Sequence, residues 1–392
     1  MPLSRRHFFF GSLALPPLAA GKPAVERPNI LLILADYLPS WILGCYGNNE
    51  VRTPNLDRFA QTGMRFLNHF ACVPAPALGR ATLLTGRTPM QLGEADASSP
   101  SEVPLSKVLE GPGYACAAGD SATAGKFLDQ QAAGKPFFLT VGYASLRPPY
   151  DGVPRKYRDL YASVKFATFS QEAAARNAAR DKEMLGDLSG NQRNAAAAVT
   201  ALDDDVAALL SRLSQKQFLD HTLVIFTSTC GSLLGRHGLW DAGQASDPVN
   251  MYEEVIATPL LWSWPGHVPP QLTRPELVSA YDLVPTLCDL TGAGLPARSL
   301  CGRSYLPLAT GKPLPKKQPW RTTVFGHLQN TEMAREKRYK LVLRDRGKGP
   351  DELYDLPVDP RERVNQYDNP QYLTVRTSLA AELSRWKQSY SA

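Results

Sequence analysis

The chain has 392 residues, a formal charge of +6, 43% hydrophobic residues and 20% charged ones. That length holds more than one average domain, with one large core and a smaller one, and the composition excludes a collagenous or disordered chain. The charge is too small and too scattered along the sequence for a nucleic-acid-binding surface.

The N-terminus reads Ser4-Arg-Arg-His-Phe-Phe-Phe10-Gly, followed by a short apolar run to Ala20. An arginine pair before aromatic and small residues has the form of a twin-arginine leader, an address for export of folded proteins. A plain secretory leader or an untargeted apolar start is the alternative. Residues 1–22 are therefore expected to be an export leader, and the protein to be periplasmic or extracellular in a bacterium. Loss of the leader removes Arg5 and Arg6. No other apolar run approaches the length that spans a bilayer.

Asn29-Ile-Leu-Leu-Ile-Leu-Ala35 is a continuous apolar run, as expected for a strand buried on both faces of a parallel sheet. Thr53-Pro54 starts a helix, with Thr53 as N-cap, Pro54 at the first helical position and Gly63 as the stop. Lys135 to Val141, Thr222 to Thr227 and Pro259 to Trp262 are three further buried strands. Residues 166–192 are polar and Ala-rich, and read as a loosely held lid or surface helix. Asn194 to Leu213 has helical spacing, and its Asp203-Asp204-Asp205 run reads as a solvated face, since consecutive helix positions point apart. Strands alternating with helices predict an α/β fold: a mostly parallel central sheet sandwiched by helices, over residues 27–310. Beyond it, Thr322 to Phe325, Tyr339 to Leu343 and Glu352 to Asp355 read as short strands, and Leu373 to Trp386 as a closing amphipathic helix. These predict a small C-terminal antiparallel-sheet-plus-helix subdomain over 311–392. The six cysteines, Cys45, Cys72, Cys116, Cys230, Cys288 and Cys301, form no C-x-x-C pair, which argues against zinc. Export would permit disulfides, whose connectivity the sequence does not reveal.

Ligands of open α/β sheets collect beyond the carboxyl ends of the strands. Two such ends carry polar chemistry: Ala35-Asp36-Tyr37, and the run from Thr227 through Thr229-Cys230 to His237-Gly-Leu-Trp240. Between them lies Cys72-Val-Pro-Ala-Pro76-Ala-Leu-Gly-Arg80, leading to Thr85-Gly-Arg87. Together with Arg27 to Asp36, Gly44 to Gly47, Thr53 to Asp57, Gly63 to Phe66, Lys135 to Leu139, Tyr252 to Glu254, Trp264 to Gly266 and Asp351 to Pro360, these segments resemble the sulfatases of the alkaline-phosphatase superfamily, in family order.

The resemblance implies a sulfuric ester hydrolase in which a Cys or Ser, oxidised to formylglycine, attacks sulfur beside a calcium ion. Calcium needs several converging oxygen donors. At the positions the resemblance assigns, this chain departs from the pattern. The nucleophile position holds Pro76. Of four metal positions Asp36 is kept, while Tyr37, Thr229 and Cys230 replace the others. Gly113 to Gly119 matches the second family signature, but continues with Asp120 where lysine is expected; Lys126 belongs to the helix leading into Lys135. The loop histidine falls at Arg147 in Leu146-Arg-Pro-Pro149, and the later lysine falls near Ala242.

The expectation is a non-catalytic pseudosulfatase, with no cofactor unless calcium returns in an unexpectedly functional site. Its pocket candidates are Arg80, Arg147, His237 and Asp120, with Asp36 as a remnant metal ligand. His237 reads first as a hydrogen-bonded structural residue. Asp36 or Asp120 is expected to pair with Arg80 or Arg147, giving a self-neutralised pocket. A sulfated or otherwise anionic small molecule or sugar is the expected partner. The alternatives are an active arylsulfatase-like enzyme with Cys72 as a displaced nucleophile, and a related phospho- or sulfo-transfer enzyme. The plainer reading of Cys72 is a small buried residue or half of a disulfide.

Overall fold

The computed structural model describes residues 27–93, 104–132, 134–144, 146–296, 299–314, 319–345 and 349–391. The expected export leader lies outside them.

Seven strands form the main sheet: β1 (Asn29–Ala35), β2 (Met64–Phe70), β3 (Ala115–Gly119), β4 (Phe137–Tyr143), β5 (Thr222–Ser228), β6 (Leu260–Ser263) and β7 (Leu272–Ser279). Their order is β3-β4-β1-β5-β6-β2-β7. Only β6 runs antiparallel to its neighbours, so the sheet is mostly parallel, as expected. β1 shows why its apolar run is unbroken. Leu31, Ile33 and Ala35 pack with the helical alanines Ala195 to Ala198 on one face. Ile30, Leu32 and Leu34 pack with Leu283, Val284 and Leu287 on the other. A period of two thus feeds two cores.

Helix α1 (Pro54–Thr62) begins where Thr53-Pro54 predicts. Thr53 occupies the N-cap position but does not cap. Its hydroxyl accepts from the Gly44 amide and donates to Asp57. The orphan amides of Asn55 and Leu56 instead donate to the carboxylate of Asp203, at 3.0 and 2.7 Å. Asp203 is fully buried, so the expected solvated face is corrected at this position. Asp204 accepts the Tyr157 hydroxyl.

Of residues 166–192, the last five open the long helix Leu188–Gln215, and the rest is neither a loose lid nor a surface helix. Ala175 and Ala179 amides donate to the carbonyls of Gly238 and Ala245, and Asp247 donates to Asn177. The chain is therefore a strap laid along the 238–247 loop. Gln192 ties it down further by donating to the carbonyls of Ser170 and Leu234.

A second, antiparallel sheet has the order β11-β10-β9-β8, from β8 (Thr323–Leu328), β9 (Thr331–Glu336), β10 (Tyr339–Arg344) and β11 (Glu352–Asp355). A closing helix, Leu373–Tyr390, buries Leu379, Leu383 and Trp386 against it. The second sheet is tied by charge to the short helix Glu253–Ile256 that precedes β6. The fully buried Lys340 donates to the Met251 carbonyl and pairs with Glu253 and Glu362, while Arg335 pairs with Glu253 at 3.0 Å.

Candidate functional site

β1 and β5 lie side by side, so the residues that follow them meet. The ladder continues one residue past each strand: Asp36 N donates to Tyr143 O and Thr229 N to Ala35 O, both at 2.9 Å. The Thr229 hydroxyl then donates to Asp36 Oδ1 at 2.7 Å.

The third member comes from helix α2 (Pro76–Thr85). Pro76 stands at its first helical position, where a missing amide hydrogen and a fixed φ cost nothing. Gly79 allows the helix to approach: a Cβ there would lie 2.4 Å from the Thr229 carbonyl oxygen. Arg80, one residue on, reaches Asp36, with Nη2 at 3.0 and 3.2 Å from the two carboxylate oxygens. Gly142 on β4 leaves the space its guanidinium fills, since a Cβ there would be 3.0 Å from Nη1. The pair is not fully enclosed; a third of the Arg80 side chain and 15% of that of Asp36 remain exposed.

Tyr37 is held at φ 61° and is half-buried. Burial pushes its phenol far above the usual range, with the carboxylate of Asp241 adding to the effect and Arg147 opposing it. Asp241 is itself buried and raised by that burial, against an amide bond from Ala242 and the charges of Arg180 and Arg147. Asp181, supplied by the strap, is raised by burial and by Asp241. Arg147 and Arg180 are exposed, and neither makes an ion pair within 4 Å among the described residues. Asp36, Arg80 and Thr229 thus form one contact cluster, and the neighbouring Tyr37, Asp181 and Asp241 lie within electrostatic reach of the exposed Arg147.

Two candidates sit elsewhere. Asp120 ends the edge strand β3, is exposed, and caps the helix Ser121–Gln130 by accepting from the Thr123 amide at 2.8 Å. That hydrogen bond holds its carboxyl below the usual range. It makes no hydrogen bond or ion pair with Arg80 or Arg147 among the described residues. His237 is half-buried at φ 58°, with its side chain stacked on Tyr252 at 3.6 Å between centroids and Nε2 3.4 Å from Glu254. Arg236 holds the other Glu254 oxygen at 3.2 Å and lies over the Trp41 ring. Burial would raise Glu254, but the neighbouring His237 and the charge of Arg236 bring it down to about 2. His237 thus stacks on Tyr252 and faces Glu254, away from Asp36 and Arg80.

Cys72 does not face Asp36 either. It follows β2, three strands along from β1. Its Sγ is fully buried, 3.4 Å from the Phe70 carbonyl and 3.3 Å from the Ser279 hydroxyl. Burial pushes the thiol up to about 12, so it stays protonated and unreactive at neutral pH. All six cysteines are free thiols.

The residues around Asp36 do not fit calcium. Both Asp36 oxygens accept from Arg80, and one also accepts from Thr229. The remaining positions offer a neutral phenol and a buried thiol, pushed well above its usual range, where a hard cation takes six to eight oxygens.

The sulfatase family model matches residues 28–120 and 118–293, and the C-terminal model of N-sulphoglucosamine sulphohydrolase matches 235–389. Arylsulfatase A of Homo sapiens is 27% identical over 450 residues, covering 89% of this chain and 85% of that protein. N-acetylglucosamine-6-O-sulfatase of Bacteroides thetaiotaomicron is 23% identical, covering 94% and 88%. A protein solved in complex with its substrate D-glucosamine-2-N,6-O-disulfate superposes with a TM-score of 0.80 at 21% identity, covering 93% of this chain and 98% of its own. The phosphonate monoester hydrolase of Agrobacterium radiobacter superposes at 0.77 with 21% identity, covering 93% and 96%. With the family model spanning most of the chain, and the fold shared throughout, the chain belongs to the sulfatase family.

Proposed function

We propose that this sulfatase-family protein binds a sulfated or otherwise anionic small molecule and does not hydrolyse it. The observation that carries this reading is the Asp36–Arg80–Thr229 cluster. The one carboxylate kept from the metal positions is bound to a guanidinium and a hydroxyl. Pro76 stands at the nucleophile position and has no oxygen or sulfur with which to attack. The buried thiol of Cys72 gives no support to a displaced nucleophile.

An anion approaching this site meets the exposed Arg147 and Arg180 as well as the paired cluster. Asp181 and Asp241 compete with it for those cations, so affinity is weak. The relative solved with a disulfated glucosamine indicates the size and charge of ligand to try first. Export, through the twin-arginine-like start, would place the protein where sulfated polysaccharide fragments are met. The test has two arms on purified protein: turnover of an aryl sulfate, and calorimetric titration with glucosamine sulfates. Binding without turnover supports the proposal. Turnover, or no binding of any sulfated sugar, contradicts it.

A further inference from the structure

A second cavity, of about 560 Å³, opens between the carboxyl end of β7, the first residues of β8 and the C-terminal helix Leu373–Tyr390. Its volume is in the range of small-molecule sites, roughly 300–1,000 Å³. None of its lining residues belongs to the pocket around Asp36.

Three arginines line it: Arg303, Arg321 and Arg385. Arg321 donates to the fully buried Asp282 at 2.6 Å, and the Arg303 amide donates to the same oxygen. The guanidinium of Arg303 lies 4.4 Å over the Trp320 ring and donates to the Pro319 carbonyl. Arg385 is exposed, and its guanidinium makes no hydrogen bond or ion pair among the described residues. The one carboxylate in the lining, Glu382, accepts from the Thr323 hydroxyl. With Asp282 set against Arg321, and Glu382 against a second arginine, one positive charge is left over.

The apolar walls are aromatic. Phe325 and Trp386 stack at 5.4 Å and 16°, with Tyr281 tilted against Trp386. Tyr281 is 2% exposed, and its hydroxyl has no hydrogen-bond partner among the described residues. The ionisable groups that bear on that hydroxyl are the Cys72 and Cys301 thiols, both weak acceptors. An unmade buried hydrogen bond is costly, and a ligand oxygen would make it.

We propose that this cavity is a second ligand site, for an aryl oxyanion: a single sulfate or carboxylate group on an aromatic ring. The oxyanion takes the surplus cation at Arg385 and the Tyr281 hydroxyl, and the ring lies along Phe325 and Trp386. The site does not depend on the reading of the Asp36 pocket.

Calorimetry on the full chain carrying Arg147→Gln and Arg180→Gln removes from the readout the two cations that would meet an anion at the first site. The titrants are 4-nitrophenyl sulfate, 4-nitrobenzoate, inorganic sulfate and neutral 4-nitrobenzyl alcohol. One of the two aryl anions is expected to bind at one site per chain, and the better of them names the oxyanion. Arg385→Gln and Tyr281→Phe should each weaken it about tenfold, the loss of one charged or buried hydrogen bond. Tyr281→Phe removes only an unpartnered hydroxyl and should fold with an unchanged or higher Tm. If it does not fold, Arg385→Gln decides alone. The proposal is overturned if neither aryl anion binds, if both variants bind like their parent, or if inorganic sulfate or the neutral alcohol binds as tightly.

Discussion

The guanidinium of Arg80 spans the carboxylate of Asp36, with Nη2 3.0 and 3.2 Å from its two oxygens, and the Thr229 hydroxyl completes the contact at 2.7 Å. Breaking this contact from the arginine side leaves a half-buried carboxylate. Loss of one partner of a fully buried pair costs about 3–5 kcal/mol, whereas an exposed pair contributes up to about 1. The exposure of Arg80 places this pair between those limits. Arg80→Gln should therefore lower the urea unfolding free energy by about 1–2 kcal/mol, and the double variant with Asp36→Asn should recover part of it. Equal losses in the single and double variants would show that the two side chains are not coupled.

A nucleophile alone should not restore chemistry. Pro76→Cys, co-expressed with a formylglycine-forming activity, is expected to give no aryl-sulfate turnover, because Asp36 is still bound to Arg80. Tyr37→Asp, Thr229→Asp and Cys230→Asn together are needed to rebuild a cation site. The first of these suits the backbone, since Asp tolerates the left-handed φ of 61° better than Tyr. Turnover by Pro76→Cys alone would show that the missing ligands are dispensable.

Asp203→Ala tests the cap that crosses between helices. It strips acceptors from the Asn55 and Leu56 amides in a fully buried position. A loss of about 2–3 kcal/mol in chemical denaturation is expected, above the usual range for a surface cap. Thr53→Ala, by comparison, should show little effect on the α1 amides. The reverse ranking would return the capping role to Thr53.

Acid should act through Glu254. Its folded pKa is about 2, against an ordinary value of 4.5, held down by His237 and Arg236 despite burial. A depressed folded pKa gives stability that is present above the unfolded value and lost as pH falls toward the folded one. The stabilisation, about 3 kcal/mol at most, should therefore decline between pH 4.5 and 2. Glu254→Gln should flatten that part of the stability profile relative to the parent chain. A profile of unchanged slope would remove Glu254 as the acid-sensitive group.

The sequence was most readable where one environment covered a whole segment. β1 and β5 are buried on both faces, so their apolar runs announce them. β9 was missed because Thr331-Glu-Met-Ala-Arg-Glu336 is polar, and its charges only make sense with their partners. Arg335 meets Glu253 and Glu332 meets Lys387, both far away in sequence. β7 carries Pro275, which is tolerated because the strand lies at the sheet edge. Asp203 read as solvated because its partner is the N-terminus of a distant helix. Asp120 carried a usable local signal: Asp-Ser-Ala-Thr123 is an N-cap pattern, and that is the role the fold gives it. Of the expected carboxylate–arginine pairings the structure holds Asp36 with Arg80, while Asp120 caps a helix instead; the strap residues Arg180 and Asp181 carried no marker in the sequence.

The most direct test of the self-paired pocket is a thermal melt of the chelator-treated full chain with and without calcium. A cation that binds only the native state raises its stability by about 2.7 kcal/mol at a hundred times its Kd. The same Tm is expected in millimolar calcium as in chelator, because Asp36 is already engaged by Arg80 and Thr229. A chelator-reversible rise of several degrees, abolished by Asp36→Asn, would contradict it and restore a metal to this site.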